Sequence, residues 1–190
     1  MDFNAAAIDD VFRMVDRPVW VVTAADGERR GGLLATWIAQ CSLDPAKPML
    51  LAGLAPHHFT AELVTASRWL AVHLLAAGQA ELALNFALGS GRDRDKFAAI
   101  GWSSGPGGCP ILEDCLGWLA GRAVDGHDTG DRRYFWLEVA AGRRLAAGQP
   151  LTEQKLFSAA TAEQREQLNR NLMVDIELLR PARDAWLAGS

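Results

Sequence analysis

Apolar positions change their period several times along the chain, and each change marks an element. Ile8, Val11, Phe12 and Val15 recur at three- and four-residue spacing behind Asn4. That pattern predicts a helix from Asn4, as cap, to about Val15, ended by Arg17–Pro18. Pro18 to Thr23 (PVWVVT) is β-branched and aromatic and predicts a first strand. Asp26–Gly27 predicts a tight hairpin turn, with Glu28 to Trp37 returning. Gly31–Gly32 in that return lets another backbone or a ligand come close. In the turn Ser42–Leu43–Asp44–Pro45, Pro45 forces its predecessor extended and Asp44 can close an Asx-turn. A second apolar run, Met49–Leu54, predicts a buried strand that stops at Pro56–His57–His58.

The pattern continues with a helix over 59–66, a strand at Trp69–Leu75 and a helix at Ala77–Leu88, with Leu82 and Phe86 on one face. Alternating charges from Gly89 to Lys96 suggest a solvated segment, and Ser103–Pro110 reads as a Gly/Pro loop. Cys115–Val124 and Arg133–Ala140 read as strands around a polar turn at Gly126–Asp131. Thr161–Ala162–Glu163–Gln164 is a capping-box sequence. Leu168, Leu172, Ile176 and Leu179 follow as a helical stripe, which Pro181 is expected to stop. Strands scattered among short helices without a βαβ rhythm favour a mostly β, antiparallel fold with flanking helices. One domain over 1–190 is expected, with an N-terminal helix in 1–16, a core over 17–150 and a helical extension over 151–190.

Composition narrows the function. Nearly half of the 190 residues are hydrophobic, so the chain can build a core. A net charge of −4 argues against a nucleic-acid backbone or an anionic membrane as the main partner. No apolar run of 18 residues occurs, and the N-terminus lacks a charged-then-apolar pattern. Three irregularly spaced cysteines fit free thiols in a reducing compartment, and the cytoplasm is the expected location. Seven Trp mainly fill core.

Several signatures fail. Gly89–Ser90–Gly91–Arg92–Asp93–Arg94 lacks the third dinucleotide glycine and follows a helix. Gly101–Trp102–Ser103–Ser104–Gly105 matches the hydrolase elbow, but Gly–Pro–Gly–Gly follows where a helix must start. No metal is expected: Cys109 and Cys115 are six apart, and adjacent histidines on an extended chain point opposite ways. Pro56–His57–His58–Phe59–Thr60 lies at a helix start, where free amides and the dipole favour an anion. Thr60 or His58 either helps bind that anion or caps the helix.

Gly32, Ala35, Thr36, Trp37, Ser42, Leu43, Asp44 and Pro45, in this order and spacing, resemble the flavin reductase-like family, the FMN-binding split barrel. Leu34 stands where that family usually has Thr, and Ala46 replaces a second Pro; the likeness extends more weakly over Arg17–Val139. It implies an antiparallel split barrel binding FMN, or FAD, with NADH or NADPH as reductant. The cofactor-binding residues it implies are Leu34, Ala35, Thr36, Trp37, Gln40, Cys41 and Ser42, with His57, His58 and Thr60 toward the phosphate. Trp37 or Phe86 would pack near the ring or simply fill core. Arg132 stands where the family commonly has the His of Gly–Asp–His; it cannot act as acid or base near pH 7 but can pair with a phosphate or carboxylate. His127 either compensates or is a loop histidine. The resemblance further implies a homodimer and an oxidoreductase that hands reduced flavin to a monooxygenase or passes electrons to a small acceptor. The alternative is a non-catalytic flavin- or haem-binding protein on the same barrel.

Overall fold

A computed structural model of the chain describes residues 4–189. Residues 1–3 and 190, at the outer ends of the expected terminal segments, lie outside the described residues. Helix α1 (Ala5–Arg13) starts at Asn4, whose Oδ1 accepts from the Ala7 amide at 3.1 Å. Strands β1 (Trp20–Asp26) and β2 (Arg29–Ala35) pair across a two-residue turn in which Gly27 adopts φ 61°. There follow β3 (Ile38–Gln40), β4 (Met49–Leu54), α2 (Phe59–Ser67), β5 (Trp69–Leu74) and α3 (Ala80–Ala87). After them come β6 (Trp102–Ser104), β7 (Pro110–Leu112), β8 (Gly117–Asp128), β9 (Arg133–Arg144), α4 (Glu153–Ala159) and α5 (Ala162–Ala188).

Seven strands form one antiparallel sheet in the order β2-β1-β5-β8-β9-β4-β3, and β6 and β7 form a separate small hairpin. Register shifts between Ala120 and Gly121 and between Ala123 and Asp125 bend the long β8–β9 pair, which curls the sheet into a half-barrel. β1 is buried on both faces. Val21 packs with Leu75, Phe86 and Leu151, whereas Val22 packs with Leu54, Leu63 and Leu137. This double burial is why the run from Val19 to Ala25 is so continuously apolar. The one hydroxyl within it, on Thr23, donates to the Pro110 carbonyl at 2.6 Å.

Four expectations are corrected. Pro181 does not end the last helix; α5 runs through it to Ala188. Proline leaves the Glu177 carbonyl without its helical donor, but Glu177 and Pro181 are exposed, so water can serve it. Beyond the proline, Arg183 donates to Asp131 at 2.8 Å and ties the helix to the β8–β9 turn. That turn is shorter than Gly126–Asp131, because β8 continues paired to Asp128. The loop at 103–110 is largely a hairpin, β6–β7, whose connection uses Gly107 and Gly108 at positive φ, with Gly107 packed against Trp69. The charged segment at 89–96 is only partly solvated: Lys96 is buried and donates to the Phe86 carbonyl at 2.8 Å, while Arg94 serves the Asn85 and Leu88 carbonyls at the end of α3.

Candidate active site

A cavity of about 620 Å³ opens where β2 ends, between the sheet and the helices α1, α4 and α5. Its floor is Leu33 to Trp37, the residues in which β2 leaves the sheet. Gly53, Leu54 and Ala55 at the end of β4 form the adjoining wall. Gly53 donates to the Trp37 carbonyl at 2.8 Å, and a Cβ there would lie 2.9 Å from the Tyr134 ring. A glycine is therefore what lets Trp37 and Tyr134 flank the strand. The opposite wall is helical, with Phe12 of α1, Phe157 of α4, and Asn169 and Leu172 of α5. Arg17, which lines the cavity too, donates to Glu153 at 2.8 Å and joins the start of the core to α4.

Positive charge gathers at one end. The Arg132 guanidinium lies 4.4 Å over the Trp37 ring and donates to the Asp131 carbonyl at 2.6 Å. Burial lowers its pKa, against the pull of Asp131 and Asp175, but an arginine so placed stays a cation. His58 lines the same end, at the N-cap of α2. Its side chain makes no capping bond. His57 lies in a turn, closed by the His58 amide bonding back to the Ala55 carbonyl at 3.1 Å, and only His58 is extended, at φ −71° and ψ 136°. The two rings consequently lie 4.4 Å apart, edge to face, and both reach Asp175 of α5. The expectation that they point opposite ways is corrected by that turn. Burial, then His58 beside it, pushes His57 below the ordinary histidine value despite Asp175. Burial raises the Asp175 carboxyl, but bonds and charge from His58 and then His57 outweigh it and hold it below the usual carboxylate value.

Of the residues singled out in the sequence, Leu34, Ala35, Thr36, Trp37, His58 and Arg132 line this cavity together. The others lie elsewhere. The Gln40 amide donates to the Ser42 carbonyl at 2.7 Å, and Ser42 Oγ accepts from Met49 and donates to Lys47, so both brace the β3–β4 turn beside an exposed Cys41. Thr60 is 2 % exposed and packs beneath Gly31. Phe86 is 1 % exposed in the core, edge-on to Phe97, and cannot stack on anything in the cavity. His127 is exposed on β8, 6.2 Å from the Trp186 ring. His57 faces Asp175 behind the lining. Sequence reasoning did not find Gly53, Phe157, Asn169 or Leu172 as cavity residues. The only local signal for α4 was Thr152–Glu153 ahead of Leu156, and nothing local says that α4 or α5 returns to β2.

The antiparallel curled sheet encloses a mostly apolar cavity in which Arg13 and Arg17 are paired with Asp9 and Glu153, leaving Arg132 over Trp37 at the end where His58 lies. Residues 12–155 match the flavin reductase like domain, and the chain belongs to that family. It is 31 % identical over 130 residues to the stachydrine N-demethylase reductase subunit Stc3 of Rhizobium meliloti, covering 68 % of this chain and 54 % of that protein. It is 34 % identical over 107 residues to the FMN reductase (NADH) RutF of Enterobacter cloacae, covering 56 % and 63 %. The structure of the NADH:FAD oxidoreductase SgcE6 of Streptomyces globisporus superposes with a TM-score of 0.69 at 26 % identity, covering 77 % of this chain and 86 % of that one. The chain spans about half the length of the first of these relatives. The architecture is the flavin reductase split barrel. Among the described residues no helix is long and apolar enough to cross a membrane.

Proposed function

We propose that this chain is an NAD(P)H-dependent flavin reductase that binds FMN, with FAD as the other candidate, in the cavity at the end of β2. The observation that carries the reading is the convergence of Leu34 to Trp37, His58 and Arg132 on one cavity of about 620 Å³, a size suited to a flavin. When bound, the flavin supplies the hydride-accepting chemistry. The chain's part is to hold and orient it. Leu34 and Ala35 offer an apolar floor, and amides around Ala35 to Trp37 are candidate donors to the ring carbonyls. Trp37 would flank the ring, Thr36 would serve the ribityl chain, and Arg132 with His58 would hold the phosphate. Phe12 and Phe157 line the far side of the cavity. Residues 17–150 are read as the cofactor-holding core and 151–190 as an added cover.

Relatives named as reductases, one of them a demethylase reductase subunit, and a solved structure named nitrilotriacetate monooxygenase component B support a role in delivering reduced flavin or electrons to a separate oxygenase. A homodimer fits the apolar faces left open. Ile8, Val11, Phe12 and Val15 on or just after α1 are exposed, as are Leu172, Met173 and Ile176 on α5. Light scattering on the purified chain tests that assembly, and a monomer at micromolar concentration refutes it.

The activity is tested by titrating the protein with FMN and FAD, then adding NADH or NADPH anaerobically. Binding followed by bleaching of the flavin band supports the reductase. Arg132, in place of a histidine that can trade protons, favours the second reading, a non-catalytic flavin or haem carrier. Binding without bleaching by either donor supports the carrier, and failure to bind either flavin refutes the flavin reading of the cavity.

A further inference from the structure

We propose that α5 is a strap across the phosphate end of this cavity, latched by the Asp175 carboxylate standing where a ligand phosphate would stand; the proposal rests on the flavin reading above. One carboxylate engages two imidazoles separately. Asp175 Oδ1 lies 3.0 Å from His57 Nε2, and Oδ2 lies 3.3 Å from His58 Nε2. His58 belongs to the cavity lining and Arg132 lies close enough for its charge to bear on His57 and Asp175. These are the donors a phosphate monoester would use, and the N-terminus of α2, with no side-chain cap, adds its positive dipole end. An internal anion therefore sits at the point that most favours an external one.

The helix is built as a strap. Its first turns are tied to the end of α4 by Arg165 donating to the Phe157 and Ala160 carbonyls, and its last turns to the β8–β9 turn by Arg183 on Asp131. Between them it runs along the cavity, with Asn169 and Leu172 in the wall and Asp175 one turn further on. Over this stretch it is lightly held, because Leu172, Met173, Val174 and Ile176 are exposed and Leu179 is the helix's buried residue. The polar latch is thus the main tie at mid-helix. The family match covers residues 12–155, so the strap lies beyond the matched domain.

Flavin mononucleotide and riboflavin differ only in the phosphate, so the pair isolates the latch. A latch closed in about nine molecules of ten weakens phosphate binding about tenfold. Asp175→Asn is therefore expected to tighten FMN binding about tenfold while riboflavin affinity moves less than about twofold. Unchanged or weaker FMN binding in the variant, or equal shifts for both ligands, would overturn the proposal. Hydrogen exchange of the amides of residues 169–179 is a second readout that needs no flavin. Exchange is expected to quicken in Asp175→Asn, and to quicken in the wild type on adding millimolar inorganic pyrophosphate. No response in either case overturns the strap even if flavin binds. A response without flavin binding to either protein would instead reject the flavin reading and keep the strap. Stoichiometric Zn²⁺ binding by the wild type that Asp175→Asn abolishes would make the two histidines and the aspartate a metal site and overturn the latch.

Discussion

Gly32 lies in the motif that signals the cofactor site, and the structure assigns it a packing role instead. A Cβ at Gly32 would lie 2.5 and 2.7 Å from two atoms of the Phe86 ring and 3.3 Å from Phe97. The Phe86 ring cannot simply step aside. It meets Phe97 edge-on at 5.4 Å between centroids, and Phe97 in turn meets Trp102 at 5.8 Å. Gly32→Ala must therefore shift a row of three aromatic rings or push β2 away from α3. Overpacking of this kind costs about 1–3 kcal/mol. For a domain of this size that lowers the melting temperature by about 2–12 °C. Calorimetry or near-UV circular dichroism would measure it. Phe86→Leu in the same chain should recover part of the loss, giving a coupling of at least about 0.5 kcal/mol in a double-mutant cycle. FMN affinity of the folded variant should stay within about twofold, since the added methyl points into the core and not the cavity. An unchanged melting temperature, or lost flavin binding at unchanged stability, would refute this account.

Two further outcomes follow from the same geometry. His73 is fully buried in β5, with Nδ1 3.1 Å from the Val21 carbonyl. Burial, against that bond, lowers its pKa to about 4 from the ordinary 6.5. Above pH 6.5 the ring is neutral in both folded and unfolded chains; below it only the unfolded chain takes the proton, so stability falls until about pH 4 and then levels. At about 1.36 kcal/mol per pH unit the loss is about 3 kcal/mol. Urea unfolding of the wild type should show this loss between pH 7.5 and 4 relative to His73→Leu, and parallel pH profiles would refute it. Arg132→Ala, on the proposed reading, removes a charge-assisted bond worth about 1.5–3 kcal/mol and should weaken FMN at least about tenfold while sparing riboflavin. Equal effects on both flavins would place Arg132 away from the phosphate.

The site was only half legible. Leu34 to Trp37 could be named because a strand that stops being paired at a small-residue motif carries its own local signature. His58 could be named because helix starts are written in a few adjacent residues. Phe86 was misplaced because a helical face shows only that a residue points inward, and two opposed cores in this fold both count as inward. Gln40 and Ser42 are polar for the turn they close, a use of polarity that looks identical in sequence to ligand contact. Thr60 faces Gly31 for a similar reason: the glycine pair opens space for side chains of α2 and α3, where the close approach of another backbone or a ligand had been the expectation.

The sequence by itself determined most of the elements and the family. Local chemistry decides these: the Asn4 cap, the turn at Gly27, the doubly apolar β1 and the capping box at Thr161 each act within a few residues. Only the tertiary structure decided what those elements enclose. The Arg17–Glu153 pair spans 136 residues and the His57–Asp175 contact spans 118. Whether such distant groups meet depends on the curl of the sheet at the β8 bulges and on where α4 and α5 come to rest. Pro181 makes the same point. The rule that proline ends a helix concerns one missing donor, and it yields here because the carbonyl left over faces water and Arg183 anchors the turns beyond.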